Sequence, residues 1–241
     1  MSDIAVVTGA SGGIGASIAK IIHQKSEGQL TLCLHYNGNA AAAKAVSDGI
    51  PNSFIVQANL STAEGRKTLL NAVLAKGTPF CLVNNAGIDK PHEPALMIDE
   101  ASYDKIMDTN LRGPLFLMRD FAKEMARNES GVIVNISSVL ANKSVIGSAV
   151  YRASKAALEA LTQQFAFELG PKGVRVVAVA PGFIETAMTA EIPAEQRAGI
   201  MKDVALASFG SPDAVAETVW HAIENQYLTG AVIAVDGGMG L

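Results

Sequence analysis

The sequence predicts an α/β protein built on a doubly wound, mostly parallel sheet of seven strands with helices on both faces. Three observations carry this expectation. Seven short runs are nearly continuous in Val, Ile and Leu rather than alternating, as strands buried on both faces require. Longer stretches of helical periodicity separate them, and a strand–helix alternation kept to the end of the chain implies right-handed crossovers. The composition, 49% hydrophobic and 17% charged over 241 residues, suits one large core and excludes a disordered chain.

The elements follow in order. Residues 4–8 form the first apolar run and 14–25 the first helical pattern; 30–34 and 53–57 are strands around a helix at 40–47. A helix over 62–75 is announced by Ser61-Thr62-Ala63-Glu64, a cap with a glutamate at a suitable offset. Strands at 80–83 and 132–136 flank one long helix at 101–127. Strand 174–179 follows a helix at 150–169. The last helix, 212–225, opens on Ser211-Pro212, and 231–235 is the last strand. No linker, repeat or low-complexity run divides residues 1–241, so one domain is expected. The irregular stretches 86–102, 140–149 and 180–193 each follow a strand, and such loops line the ligand crevice of an open α/β sheet.

The formal charge of −4 gives nucleic acid or anionic lipid nothing to attract. Cys33 and Cys81 sit in apolar runs and read as core thiols of a reducing compartment. The absence of a basic, then apolar leader and of an apolar run near ~20 residues makes a cytoplasmic protein the expectation. His23, His35, His92 and His221 lack metal-ligand spacing, so no metal site is expected. Asp99, Glu100 and Asp104 read as a solvated helix start, Trp220 as core or subunit interface, and Met188 as part of a substrate lid.

Thr8-Gly-Ala-Ser-Gly-Gly-Ile-Gly15 follows the first strand and opens a helix. Gly9, Gly13 and Gly15 permit a tight turn, close approach of backbone to a pyrophosphate, and close helix–strand packing. The helix N-terminus adds free N–H groups and partial positive charge. A dinucleotide is the expected ligand. No Asp or Glu stands between Leu30 and Ala43. Nothing there would repel a 2′-phosphate, which favours NADP(H) over NAD(H). With no Arg in the stretch, His35, Tyr36 and Asn37 are the available donors. Asn59 and Leu60, after the third strand, are candidates for the adenine edge.

Asn84-Asn85-Ala86-Gly87, Ile136-Ser137-Ser138 and Tyr151-Arg-Ala-Ser-Lys155 complete the pattern. Tyr151 and Lys155 are four apart, on one helix face. A phenol titrating near ~10 becomes useful at neutral pH when an ammonium stabilises its anion.

Together these motifs resemble the short-chain dehydrogenase/reductase family, most closely its 3-oxoacyl-[acyl-carrier-protein] reductases, over essentially the whole chain. The resemblance implies a Rossmann fold and a role for each matching residue. Tyr151 is the implied acid/base, Lys155 the ligand of the nicotinamide ribose, Ser138 the group polarising the carbonyl, and Asn110 the holder of a relay water. Gly9, Ser11, Gly12, Gly13, Ile14 and Gly15 match the phosphate side of the cofactor site. Asn85, Ala86 and Gly87 match the adenosine side. Pro181, Gly182, Ile184 and Thr186 match the nicotinamide side, ahead of a lid over about 183–210.

The implied reaction is NADP(H)-dependent reduction of a 3-oxoacyl thioester in fatty acid biosynthesis. Another alcohol or ketone is the alternative, and a cofactor-binding regulator without catalysis is the non-enzyme reading. Gly12 and Asn59 depart from the pattern, which often has Arg and Asp there. The expected carrier-docking residues are Arg127, Lys172 and Arg175, with Glu129 beside the first. Helices 101–127 and 150–169, apolar on more than one side, together with the resemblance, imply a homotetramer.

Overall fold

A computed structural model describes residues 2–89 and 94–241; His92 and the Met188 side chain fall outside the described set. The elements run β1 (Ser2–Val7), α1 (Gly13–Lys25), β2 (Thr31–Tyr36), α2 (Ala40–Asp48), β3 (Ser53–Gln57), α3 (Ala63–Leu74), β4 (Gly77–Asn84) and α4 (Glu100–Met107). A π-helical turn, Asp108–Arg112, leads into α5 (Gly113–Arg127) and β5 (Gly131–Ile136). Then come α6 (Ala149–Leu169), β6 (Val174–Pro181), α7 (Ala187–Ala190), α8 (Ala194–Lys202), α9 (Pro212–Glu224) and β7 (Val232–Val235).

The strands form one sheet in the order β3-β2-β1-β4-β5-β6-β7, and every pairing is parallel. The order reverses at β1 and β4, where the crossovers leave to opposite sides and a crevice opens at the strands' carboxyl ends. The continuous apolar runs explain the burial: one face packs Val7, Val83 and Val134 against Ile18 and Ile22 of α1 and Val215 and Val219 of α9. The other packs Val6, Leu82 and Ile133 against Leu69 of α3, Met118 and Phe121 of α5, and Leu158 of α6. Cys33 belongs to the second face and Cys81 to the first, and both are free thiols. Trp220 packs against the first core. Among the described residues no helix is long and apolar enough to cross a membrane.

Three expectations change. The helix expected over 101–127 is three pieces. Pro114 has no N–H to return to the Asn110 carbonyl, so the ordinary α-turn cannot close there and the helix widens into the π turn. The cap of α3 is Thr62, whose hydroxyl accepts from Gly65 N–H at 3.1 Å. Ser61 instead donates to Asn59 Oδ1. The stretch 180–193, expected to be irregular, contains α7. Ser211 caps α9 as its sequence suggests, accepting from Ala214 N–H at 3.2 Å.

Phe121 is fully buried in the second core. Phe121→Ala is expected to cost roughly 3–5 kcal/mol by combining lost transfer energy with a cavity. Denaturant unfolding should show the midpoint fall with the slope unchanged.

Candidate active site

One hydroxyl joins the two strands at the switch point. Thr8 Oγ1 donates to Val83 O at 3.1 Å and accepts from the N–H groups of Asn85 and Ala86, each at 2.9 Å. Asn85 Nδ2 returns to Thr8 O at 2.8 Å and Gly9 O at 3.2 Å. The Asn84–Gly87 segment and the glycine turn are thereby one unit. Gly9 has φ +66°, and a Cβ there would lie 3.0 Å from Ala86 Cα. A Cβ on Gly15 would collide with the Gly9 carbonyl oxygen, so α1 can start this close to β1 only with glycine there.

The glycine turn fits a dinucleotide phosphate. α1 has no side-chain cap and no acidic residue in its first turn, so its N-terminal N–H groups keep their capacity for an anion. A Cβ on Gly12 would meet nothing within 4 Å. Thr186 faces the turn: a Cβ on Gly13 would lie 3.4 Å from its methyl. Gly182 donates to Val235 O, holding Pro181-Gly182 at the sheet's end, and Ile184 buries its side chain in the first core. Ser11 and Ile14 are half-buried in the same turn.

On the adenosine side the structure corrects one expected donor. His35 is buried, with Nδ1 accepting from Gly9 N–H at 3.1 Å and Nε2 2.9 Å from Ala58 O. Both ring nitrogens are spent bracing the glycine turn. Burial holds its pKa below the usual histidine value. Tyr36 is nearly buried and Asn37 exposed, and Asn59 is exposed with Oδ1 accepting from Ser61. Leu60 is buried, and its carbonyl accepts from the Arg66 guanidinium at 2.8 Å.

The reactive groups meet beyond β4 and β5. Ser138 ends the β5 segment and caps the short turn Val139–Ala141, its Oγ accepting from Leu140 N–H at 3.2 Å. Its side chain neighbours that of Tyr151 and lowers the phenol's pKa. Lys155, buried, donates to Ile136 O at 2.7 Å and places Nζ 5.7 Å from the Tyr151 ring centre. Asn110 is fully buried in the π turn; Oδ1 accepts from Ile88 N–H and Nδ2 donates to Ile88 O, both at 2.8 Å. A Cβ on Gly87 would lie 3.3 Å from Asn110 Oδ1 and 3.6 Å from Lys155 Nζ, so only glycine lets the chain pass between them comfortably.

The electrostatics run against the simple expectation for Tyr151. Its phenol is pushed up to about 12, by burial first; the Ser138 hydroxyl pulls it down and the Asp89 carboxylate raises it. Burial lowers Lys155 to about 8, with Asp89 opposing. Desolvation is therefore the dominant cause of both shifts. A phenol held protonated at neutral pH is ready to donate, the state a carbonyl reduction requires. Among the residues missed from sequence is Asp89, an acid placed directly after the Ile88 backbone that Asn110 braces. Among the expected carrier-docking residues, Arg175 is corrected: its guanidinium is spent on Ala222 O, Ile223 O and Leu228 O at the end of α9. Arg127 pairs with Glu124 on its own helix.

A parallel sheet reversing at a glycine turn, with a serine, tyrosine and lysine gathered beyond its strands, defines a nucleotide-dependent oxidoreductase, and residues 3–197 match the short chain dehydrogenase family. The chain belongs to that family and is an oxidoreductase of CH–OH and carbonyl groups; the family binds nicotinamide cofactors. It is 37% identical to the 3-oxoacyl-[acyl-carrier-protein] reductase FabG of Staphylococcus aureus, over 99% of this chain and 98% of that one. It is 34% identical to the Rickettsia felis protein of the same name, over 97% and 95%. Among solved structures, a Serratia marcescens short-chain dehydrogenase/reductase variant superposes with a TM-score of 0.92 at 28% identity, covering 100% of this chain and 99% of that one.

Two outcomes follow from these surroundings. Protonating His35 removes the acceptor for Gly9 N–H. Its folded-state pKa is depressed, so acid favours states in which the ring is free. Affinity for a reduced nicotinamide cofactor should weaken as pH falls below the ordinary histidine value of 6.5, and His35→Asn should flatten that dependence in a fluorescence titration. Removing the Asp89 charge lowers the pKa of both Tyr151 and Lys155. In Asp89→Asn the limb of the alcohol-oxidation pH profile that reports phenolate formation should move to lower pH.

Proposed function

We propose that this enzyme reduces 3-oxoacyl thioesters, carried on acyl carrier protein, to 3-hydroxyacyl thioesters at the expense of NADPH, in fatty acid biosynthesis in the cytoplasm. Full-length similarity to 3-oxoacyl-[acyl-carrier-protein] reductases carries the reading. The gathered Ser138, Tyr151 and Lys155 support it chemically.

The nicotinamide, when bound, supplies the hydride. Every other part of the step belongs to the chain. The glycine turn and α1 N-terminus hold the phosphates, and Lys155 keeps N–H capacity beyond its Ile136 bond for the ribose. Ser138 donates to the carbonyl oxygen and polarises it. Tyr151 gives its proton to that oxygen as charge develops. The Asn110 carbonyl lacks the Pro114 partner of an ordinary α-turn and is the group we assign to anchoring a relay water. Asn110's amide has a different task, fixing Ile88 and hence the Gly87 strand end. Residues 183–210 form the lid. Phe183 and Phe209 stack at its two ends, 5.5 Å apart, and Ile184 bridges Gly210, so the span carrying α7 and α8 is pinned at its root. Exposed Phe167 on α6, with Tyr227 and Leu241 near the β7 end, supports a homotetramer that covers them.

The NADPH preference rests on the acid-free end of β2. No carboxylate there repels a 2′-phosphate, and Tyr36 and Asn37 remain as donors once His35 is spent. One observation favours a second reading, a free ketone or alcohol rather than a carrier-bound substrate. Arg175 is consumed by α9 and Asp89 stands near the reactive pair, so the site offers an acidic carrier little attraction.

Initial rates with acetoacetyl thioester, NADPH and NADH side by side test the proposal. Turnover with NADPH is expected, and Tyr151→Phe should lose on the order of 10²–10⁴-fold in kcat. Cofactor binding without turnover would transfer the substrate to the second reading. Gly12→Arg has open space for its side chain. One charge-assisted bond to the 2′-phosphate should raise the NADPH/NADH ratio of kcat/KM by about tenfold or more.

A further inference from the structure

The catalytic helix carries a third polar group in register with the first two. Tyr151, Lys155 and Glu159 are spaced i, i+4, i+8 along α6, on one face. Glu159 is buried at 9% exposure, and the reaction as described gives it no task. Its Oε1 accepts from Ser137 Oγ at 2.7 Å and its Oε2 from Asn142 Nδ2 at 3.1 Å. Ser137 and Asn142 are the two ends of the segment that presents Ser138.

The other ties of these ends to α6 are long bonds to main-chain carbonyls: Arg152 of α6 donates to Ala141 O at 3.3 Å and to Asn142 O at 3.5 Å. Ser137 N–H donates to Val179 O, which fixes its backbone to β6, and its hydroxyl lies 3.4 Å from Lys155 O. Asn142 closes the Val139–Ala141 turn through its N–H to Val139 O at 3.1 Å. The carboxylate is thus a clamp between α6 and both ends of segment 137–142. A buried carboxylate is tolerated only where donors satisfy it, and these two side chains are its donors. Removing it leaves Ser137 and Asn142 without their acceptor, and only the longer bonds through Lys155 O and the Arg152 guanidinium still hold the segment to α6. A change of that kind near a reacting group is costly even when it is small.

We propose that Glu159 is a positioning residue, clamping segment 137–142 to α6 so that the Ser138 hydroxyl stays beside the Tyr151 hydroxyl. This rests on the assignment of Ser138 and Tyr151 as the pair that meets the carbonyl. The groups facing Tyr151 are Ser138, Lys155 and Asp89; only the first is moved by Glu159.

The experiment compares Glu159→Ala and Glu159→Gln with the parent protein by two readouts. One is near-ultraviolet titration of the phenol, as the difference from Tyr151→Phe, which needs no substrate. The other is kcat and KM for acetoacetyl-coenzyme A and NADPH. Ser138 pulls the Tyr151 pKa down, so a misplaced Ser138 lets it rise. Glu159→Ala should titrate at higher pH than the parent, in the same direction as Ser138→Ala. Its kcat should fall on the order of 10–100-fold with both KM values nearly unchanged. Glu159→Gln should restore both, since its Oε1 still accepts from Ser137 and its Nε2 reaches Asn142 once that amide turns over.

A folded Glu159→Ala with parental titration and kcat overturns the proposal, whatever its Tm. So does a Glu159→Gln that behaves like Glu159→Ala, since charge and not position would then be at work. If Glu159→Ala does not fold, Ser137→Ala and Asn142→Ala each remove one arm and should move the titration the same way; parental behaviour in both overturns it. A parent protein that does not reduce acetoacetyl-coenzyme A sinks the substrate reading alone, because the phenol titration still decides this one.

Discussion

The Thr8 hydroxyl is the contact on which the site's layout depends. It satisfies one carbonyl of β4 and two N–H groups of the segment leaving β4, from the end of β1. Where strand order reverses, neighbouring crossovers depart to opposite faces, and nothing in the sheet itself would keep the two departing loops together. A single buried side chain does so here. Asn85 doubles the tie by donating to Thr8 O and Gly9 O. The phosphate-side turn and the strand end beside Lys155 therefore move as one body. Distances between a nucleotide held at the first and groups at the second are set by the fold before any ligand arrives.

The electrostatic character of the reactive end follows from burial more than from pairing. Lys155 is an ammonium taken out of water with a backbone carbonyl as its hydrogen-bond partner, and its pKa falls accordingly. Tyr151 is also desolvated and its pKa rises. These two shifts bring lysine and tyrosine to opposite sides of the usual order. At neutral pH the phenol is thus held protonated, a proton donor and not a base.

How much of this was legible in the sequence depended on the range of the interaction. Continuous Val/Ile/Leu runs gave the strands, because a parallel sheet buries both faces and leaves no room for alternation. The glycine turn and Tyr151–Lys155 were legible because both are local patterns on one loop or one helix face. The π turn was missed because the apolar periodicity of 101–127 runs straight through Pro114, an interior position where proline breaks the α-helical ladder, and only the missing Asn110 bond reveals the widening. His35, Arg175 and Glu159 were misread or passed over for one reason. Each finds its partners far away in the chain, His35 at Gly9 and Ala58, Arg175 at the end of α9, Glu159 at Ser137. A polar residue's availability to a ligand is a property of what already occupies it, and sequence does not show that.

The same point bears on precision at the active site. α6 is held to the sheet by Leu158 in the core and by Thr162, which accepts from Asn135 of β5 at 2.9 Å while donating to Leu158 O. Asn135 in turn accepts from Asn84 of β4 at 2.9 Å. This buried polar chain runs across β4, β5 and α6 directly beneath the reactive groups. It fixes the helix's rotation, because hydrogen bonds are directional where apolar packing is not. Rotation of α6 would carry Tyr151, Lys155 and Glu159 together, since they share one face. The roles proposed for Tyr151, Lys155 and Glu159 all fall on this one element, so their alignment reduces to one rotational setting. Segment 137–142 is not built on that helix, and the Glu159 clamp, with Arg152 at Ala141 O and Asn142 O, is what brings it into the same frame.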